Sequence, residues 1–223
     1  MSQHPINQVR HLGATRYISM ASRFEQIDIV PEQIGHALKD KTLHVPPNQR
    51  DYSWQEKHVE DLYADFFVTI DRGAQEYFLG SIVVVRGDDG RHLVVDGQQR
   101  LATSLILLAA IRDFLQVELN DIEGARRFER RFIFTEEYRS KDDKPHLVLN
   151  ERDHPYFLPR VLLNPGDKRR KEVLASKPKL ESHRRIDRAA KVAAKQVKAI
   201  AAGSTRPEAQ ADSGVDPVFE TTS

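Results

Sequence analysis

The feature that most constrains this chain is a strand that breaks directly into a long, heavily apolar helix. Val94-Val95 is β-branched and strand-forming, Asp96-Gly97 interrupts it, and a helical pattern runs from about Gln98 to Leu119. Leu101, Leu105, Leu108, Ile111 and Leu115 recur at helical spacing, and Ile106, Leu107, Ala109 and Ala110 widen their stripe. A helix apolar over so much of its circumference belongs at the centre of its domain. The chain has 223 residues, enough to bury a substantial core around it.

The flanking sequence supplies the other elements. Pro31–Leu38 reads as a short helix with proline at its first position. Leu43-His44-Val45 is a brief strand stopped by Pro46-Pro47. Ser53 is placed to cap a helix beginning at Trp54, with Glu56 closing a capping box. In that helix Val59, Leu62, Tyr63, Phe66 and Phe67 share one face. Tyr77–Val85 is expected as a strand buried on both faces around Ile82-Val83-Val84-Val85. Gly87–Gly90 has hairpin chemistry and would pair this strand antiparallel with His92–Val95.

Beyond the long helix, Gly124 ends it or opens the next element, and Arg126–Phe134 mixes basic and apolar residues. His146–Leu149 is a short strand, followed by a proline-punctuated stretch to Pro165. The basic cluster Lys168-Arg169-Arg170-Lys171 reads as a solvated loop or as a contact to DNA backbone. Ser182–Ile200 has weak amphipathic helical character. Residues 1–23 are expected to be a loose leader, 24–200 the folded domain and 201–223 a disordered tail.

Composition excludes several classes. There is no cysteine, so disulfides, thiolate metal sites and thiol nucleophiles are ruled out. The balance of 34 basic against 33 acidic residues removes any polyanion-binding argument from net charge alone. The N-terminus lacks an apolar signal core, and the run Leu105–Ile111 is too short to span a bilayer, so a cytoplasmic location without membrane association is expected. The nine histidines show no zinc-protease spacing. Walker A, dinucleotide and nucleophile-elbow motifs do not occur, nor does an acidic–lysine constellation suited to a nuclease.

Two clusters can carry chemistry. In Asp96-Gly97-Gln98-Gln99-Arg100 a helix starts where a glycine permits close backbone approach, so its free amides and positive dipole end favour phosphate. Gln98 and Gln99 add amide groups and Arg100 a planar cationic fork. Asp96 can hold a divalent metal, orient water or cap the helix. Ordinary turn chemistry, with Asp96 as a plain cap, accounts for the same residues. The second cluster is Pro46-Pro47-Asn48-Gln49-Arg50-Asp51-Tyr52-Ser53-Trp54, a rigid bend where Arg50 can bind phosphate and Tyr52 or Trp54 can stack on a base. Packing aromatics with an ion-paired Arg50 is the alternative.

Taken together, Val45–Trp54, Phe78-Leu79-Gly80-Ser81-Ile82, Val94–Thr103 and Leu147–Asn150 resemble the N-terminal domain of GmrSD-type modification-dependent restriction enzymes, of the ParB/sulfiredoxin-like superfamily. The resemblance implies an α/β (α+β) fold, with a small mixed sheet, a long central helix and additional C-terminal helices. It implies binding and hydrolysis of a nucleoside triphosphate with Mg²⁺, coupled to recognition or cleavage of modified phage DNA. Asp96, Gln98, Gln99 and Arg100 would then be catalytic, with Asp96 the candidate Mg²⁺ ligand. Gln49, Arg50, Tyr52, Trp54 and Gly97 would line the nucleotide or DNA site. The chain carries no HNH nuclease motif, so a partner protein is expected to supply cleavage. The alternatives are a non-enzymatic DNA- or nucleotide-binding module, or a truncated remnant.

Overall fold

The computed structural model describes residues 42–74, 77–87, 89–135 and 144–203. The expected leader, the helix at 31–38 and the tail beyond Gly203 lie outside the described residues. Four short strands form one mixed sheet: β1 (Leu43–His44), β2 (Val83–Arg86), β3 (His92–Asp96) and β4 (Leu147–Val148), in the order β2-β3-β1-β4. β1 pairs parallel with both β3 and β4, while β2 runs antiparallel to β3. Leu43 N–H donates to His146 O and Val45 N–H to Val148 O, each at 2.8 Å. The hairpin between β2 and β3 forms where the glycines predicted it.

Six helices surround the sheet among the described residues: α1 (Glu56–Asp71), α2 (Gln98–Val117), α3 (Ile122–Phe132), α4 (His154–Phe157), α5 (Lys168–Ala175) and α6 (Glu181–Ala201). The central helix is α2, as its sequence required; it packs against α3 and α6, and α1 also packs on α6. Leu101, Leu105 and Ile106 of α2 meet Leu43, Val94 and Leu147 from the strands, Val59 and Tyr63 from α1, and Ile186 and Ala193 from α6. Burying one such large apolar side chain contributes about 1.5–3 kcal/mol. Among the described residues, no helix is long and apolar enough to cross a membrane.

Four local expectations are corrected. The strand around Ile82–Val85 is not buried on both faces: β2 is the sheet's edge, and Val83, Val84 and Val85 are 38–42% exposed. Helix α1 begins at Glu56 rather than Trp54, because the Ser53 N–H is already bound by Gln99, and His58 Nδ1 takes the Gln55 N–H at 3.1 Å. The proline-punctuated stretch is helical: α4 carries its proline at the tolerated N-terminal positions and continues into a π-helical turn, Leu158–Leu162. The basic cluster at 168–171 is not a loop but the start of α5, with Arg170 buried and paired with Asp113.

That pair belongs to a buried network. Arg112 is fully buried in α2; its Nη2 donates to Leu162 O at 3.0 Å and Leu163 O at 3.1 Å, Nη1 pairs with Glu129, and Nε lies 2.7 Å from Asp113 Oδ1. One guanidinium thus satisfies carbonyls at the end of the π-helical turn and ties α2 to α3, while Asp113, which it shares with Arg170, brings in α5.

Candidate functional site

The three parallel strands all point the same way, so the loops leaving their C-terminal ends emerge on one edge of the sheet. These are 46–55 after β1, Gly97 between β3 and α2, and 149–153 between β4 and α4. Both clusters singled out in the sequence therefore meet, joined by a third segment.

Gly97 makes the junction. Its φ is +86°, and a Cβ there would fall 2.9 Å from Ile82 Cγ1 and 3.2 Å from Ser81 O. Both the left-handed backbone and the close approach require glycine. Having no side chain, Gly97 leaves the first turn of α2 uncapped, and no acidic residue stands in that turn. Asp96 is therefore not the helix cap: it is the last residue of β3, and its exposed carboxylate lies 3.6 Å from Arg100 Nη2.

Gln98 and Gln99 are buried, and both side chains grip the facing loop. Gln98 Nε2 donates to Arg50 O at 3.1 Å. Gln99 donates to Asp51 O at 3.3 Å and accepts from Ser53 N–H at 2.8 Å, pairing with the loop as a neighbouring strand would. In return, Gln49 Nε2 donates to Val95 O at 3.1 Å.

The third segment holds the same loop from its other side. Asn150 Nδ2 donates to Gln49 O at 3.3 Å and Asp51 Oδ1 at 3.2 Å, and Arg152 pairs with Asp51 at 3.1 Å. Asp153 Oδ2 accepts the Tyr52 N–H at 2.6 Å, while its own N–H goes to Asn150 Oδ1 at 3.0 Å. Sequence reasoning gave Asn150 no role and missed Asp153. The available signal was an Asx turn, Asn-Glu-Arg-Asp, directly after a short strand. Helix α6 supports both loops: Arg185 donates to Ser53 O at 3.2 Å, and His183 Nε2 lies 2.9 Å from Arg152 O with its ring stacked on Tyr156.

The predicted residues divide by exposure. Tyr52 is buried, its hydroxyl 2.8 Å from Thr103 Oγ1, and Tyr63 donates to the Thr103 carbonyl at 3.0 Å. Burial pushes the Tyr52 hydroxyl well above the usual phenol range, so it stays neutral. Trp54 is half-buried against the core with its ring 6.1 Å from that of His58. Arg50 has an exposed side chain and lines a shallow cleft with Tyr52, Gln98, Gln99, Asn150 and Asp153. Arg100 is partly exposed, and its Nη2 donates to Ser81 O at 2.9 Å.

That carbonyl explains the Phe-Leu-Gly-Ser-Ile segment, to which sequence reasoning assigned no function. Gly80 has a φ of +93°, and the Arg100 guanidinium lies against it. Arg100 is thereby seated beside the uncapped start of α2, where Gly97, Gln98 and Gln99 are themselves buried. Among the described residues, no three histidine or acidic side chains cluster as metal ligands. The arrangement offers free helix amides, one fixed guanidinium and one exposed arginine on a tightly held loop, which together suit an oxyanion such as phosphate.

A comparison with curated proteins gives no match. The sequence does match the family described as "GmrSD restriction endonuclease, N-terminal domain" over residues 34–221, a span that includes all three loops of the site. The chain belongs to the family of GmrSD restriction endonuclease N-terminal domains.

Proposed function

We propose that this restriction-system domain binds a nucleoside triphosphate at the edge formed by the Gln49–Trp54 loop and the start of α2, and hydrolyses it. The observation that carries the reading is the uncapped N-terminus of α2 with Arg100 fixed beside it on Ser81 O. Arg100 and Arg50 would bind phosphate oxygens and offset charge developing in the transition state. Gly97 leaves the helix amides without a side-chain cap. Gln49, Gln98 and Gln99 act through the loop they hold, and Tyr52 anchors it in the core; Trp54 borders it.

The donor set fits Mg²⁺ in the manner usual for nucleotides, where one or two carboxylates and the substrate's phosphates share the ion. Asp96, more exposed than Asp51 or Asp153, would hold it by exchanging its 3.6 Å pairing with Arg100 for the ion. When bound, the ion would neutralise phosphate charge. DNA is the expected target of the system, with cleavage supplied by an HNH nuclease partner.

A second reading, nucleotide or DNA binding without turnover, is favoured by one observation: the Gln98 and Gln99 side-chain donors are both occupied by loop carbonyls. Phosphate release from ATP, GTP, CTP and UTP with Mg²⁺ separates the two, using wild type, Arg100→Ala and Asp96→Ala. Turnover lost in both variants supports hydrolysis. Nucleotide-dependent thermal stabilisation without turnover supports the second reading. Neither response from folded protein sinks the nucleotide site itself.

A further inference from the structure

Helix α3 presents a cationic face that the nucleotide site does not use. Arg126, Arg127, Arg130 and Arg131 are all exposed, and their spacing puts them on the side opposite Ala125 and Glu129, which are buried. Arg126 pairs with Glu123 at 2.9 Å, but Arg127, Arg130 and Arg131 meet no carboxylate among the described residues. In α6, by contrast, Arg184, Arg185 and Arg188 gather around Glu181, Lys191 pairs with Asp187 and Lys198 with Glu118.

Folding alone does not account for this face. Arg126 with Arg130, and Arg127 with Arg131, are like-charge pairs one turn apart, which destabilise a helix. The helix dipole rewards cations only in the last turn, so Arg126 and Arg127 stand too early to gain from it. Arg131 is held over the Phe132 ring at 5.1 Å, leaving a presented guanidinium rather than a sweeping one. Four arginines, not lysines, on two turns present planar guanidinium forks that can bind the phosphate oxygens of a phosphodiester chain in pairs.

We propose that the Arg126–Arg131 face of α3 is a second site, which binds the sugar–phosphate backbone of duplex DNA without base selection. It does not depend on the nucleotide reading. The C-terminal end of α3 leads toward the start of β4, since Ile133 O accepts from His146 N–H, whereas the nucleotide site lies at the other end of that strand.

The test is fluorescence anisotropy of a labelled duplex across a salt series, using the full chain. The triple variant Arg127→Gln, Arg130→Gln, Arg131→Gln should reduce the slope of log affinity against log salt by about one per arginine, and weaken binding roughly tenfold or more at physiological salt. The matching triple lysine variant should keep the slope. Because these side chains are exposed, all variants should stay folded, with the glutamine variant's unfolding midpoint at or slightly above that of wild type, which circular dichroism checks. Arg100→Ala should bind the duplex as wild type does, so failure of the nucleotide reading and failure of this one are told apart. An unchanged slope in the glutamine variant overturns the proposal. So does arginine-dependent binding of poly-glutamate as tight as that of the duplex, which would make the face a dock for an acidic protein.

Discussion

Gly80 and Arg100 fit together so closely that a methyl group on the glycine would lie 2.3 Å from Nη1 of the arginine. The contact makes a backbone position, twenty residues upstream, part of the machinery that aims a side chain. Gly80→Ala should therefore displace the Arg100 guanidinium from Ser81 O. Its positive φ adds about 1–2 kcal/mol of backbone strain. The expected result is weaker triphosphate binding, close to that of Arg100→Ala, with a smaller loss of folding free energy. Isothermal titration alongside urea unfolding measures both.

Gly97→Ala should be more damaging to the fold. The new Cβ would press on Ile82 from a left-handed backbone, and neither neighbour is a free side-chain end. A destabilisation of about 1–3 kcal/mol is expected, read as a lower urea midpoint with an unchanged slope.

Asp153→Ala removes the acceptor of the Tyr52 N–H and leaves that buried amide unpaired. A cost of about 1–3 kcal/mol follows. Hydrogen exchange at Tyr52 should accelerate while exchange in the middle of α2 stays slow. Equal acceleration at both places would show that Asp153 supports the whole fold rather than this loop.

Stability should fall in alkali. Burial raises the hydroxyl pKa of Tyr52 and of Tyr63 above the ordinary value of 10. The native state therefore holds protons that the unfolded chain releases. Their contribution is complete below pH 10 and declines as pH rises above it, by up to about 1.4 kcal/mol per pH unit for each tyrosine. Tyr52→Phe with Tyr63→Phe should flatten that limb in urea titrations between pH 9 and 11.

Arg112→Ala should be the most destabilising of these changes. It removes one partner of the buried Glu129 and the Arg112 donor to Leu162 O, while Leu163 O keeps its bond from Arg170. A loss of about 3–5 kcal/mol is expected, whereas Arg112→Lys should recover only part because it lacks the fork. Thermal unfolding ranks the three proteins.

Much of this was legible in the chain. The α2 stripe and the β2–β3 hairpin follow from period, glycine placement and turn chemistry, and the meeting of two motifs at one site was implied by the family resemblance. What escaped was decided by partners distant in sequence. Ser53 has the chemistry of a helix cap, but a glutamine 46 residues away binds its amide, so the helix starts later. Val83–Val85 has the composition of a central strand, and only the strand order reveals it as an edge. Arg170 sits in the most polar stretch of the chain yet is buried, because Asp113, 57 residues earlier, waits for it. The Asx turn at Asn150 marks Asp153 only as a turn residue; its acceptor oxygen matters because Tyr52, 101 residues earlier, arrives beside it.

The parallel strands that end on one edge have a kinetic consequence. Each loop is short, but the bonds that join them close chain segments of 48 and 101 residues. Such closures carry a loop entropy that must be met before any contact stabilises them. No peptide excised around Asp96–Arg100 would hold the pocket's shape, and during refolding the pocket should mature only with the whole sheet. A bound nucleotide would thus act as a long-range clasp, slowing global unfolding more than any local fraying.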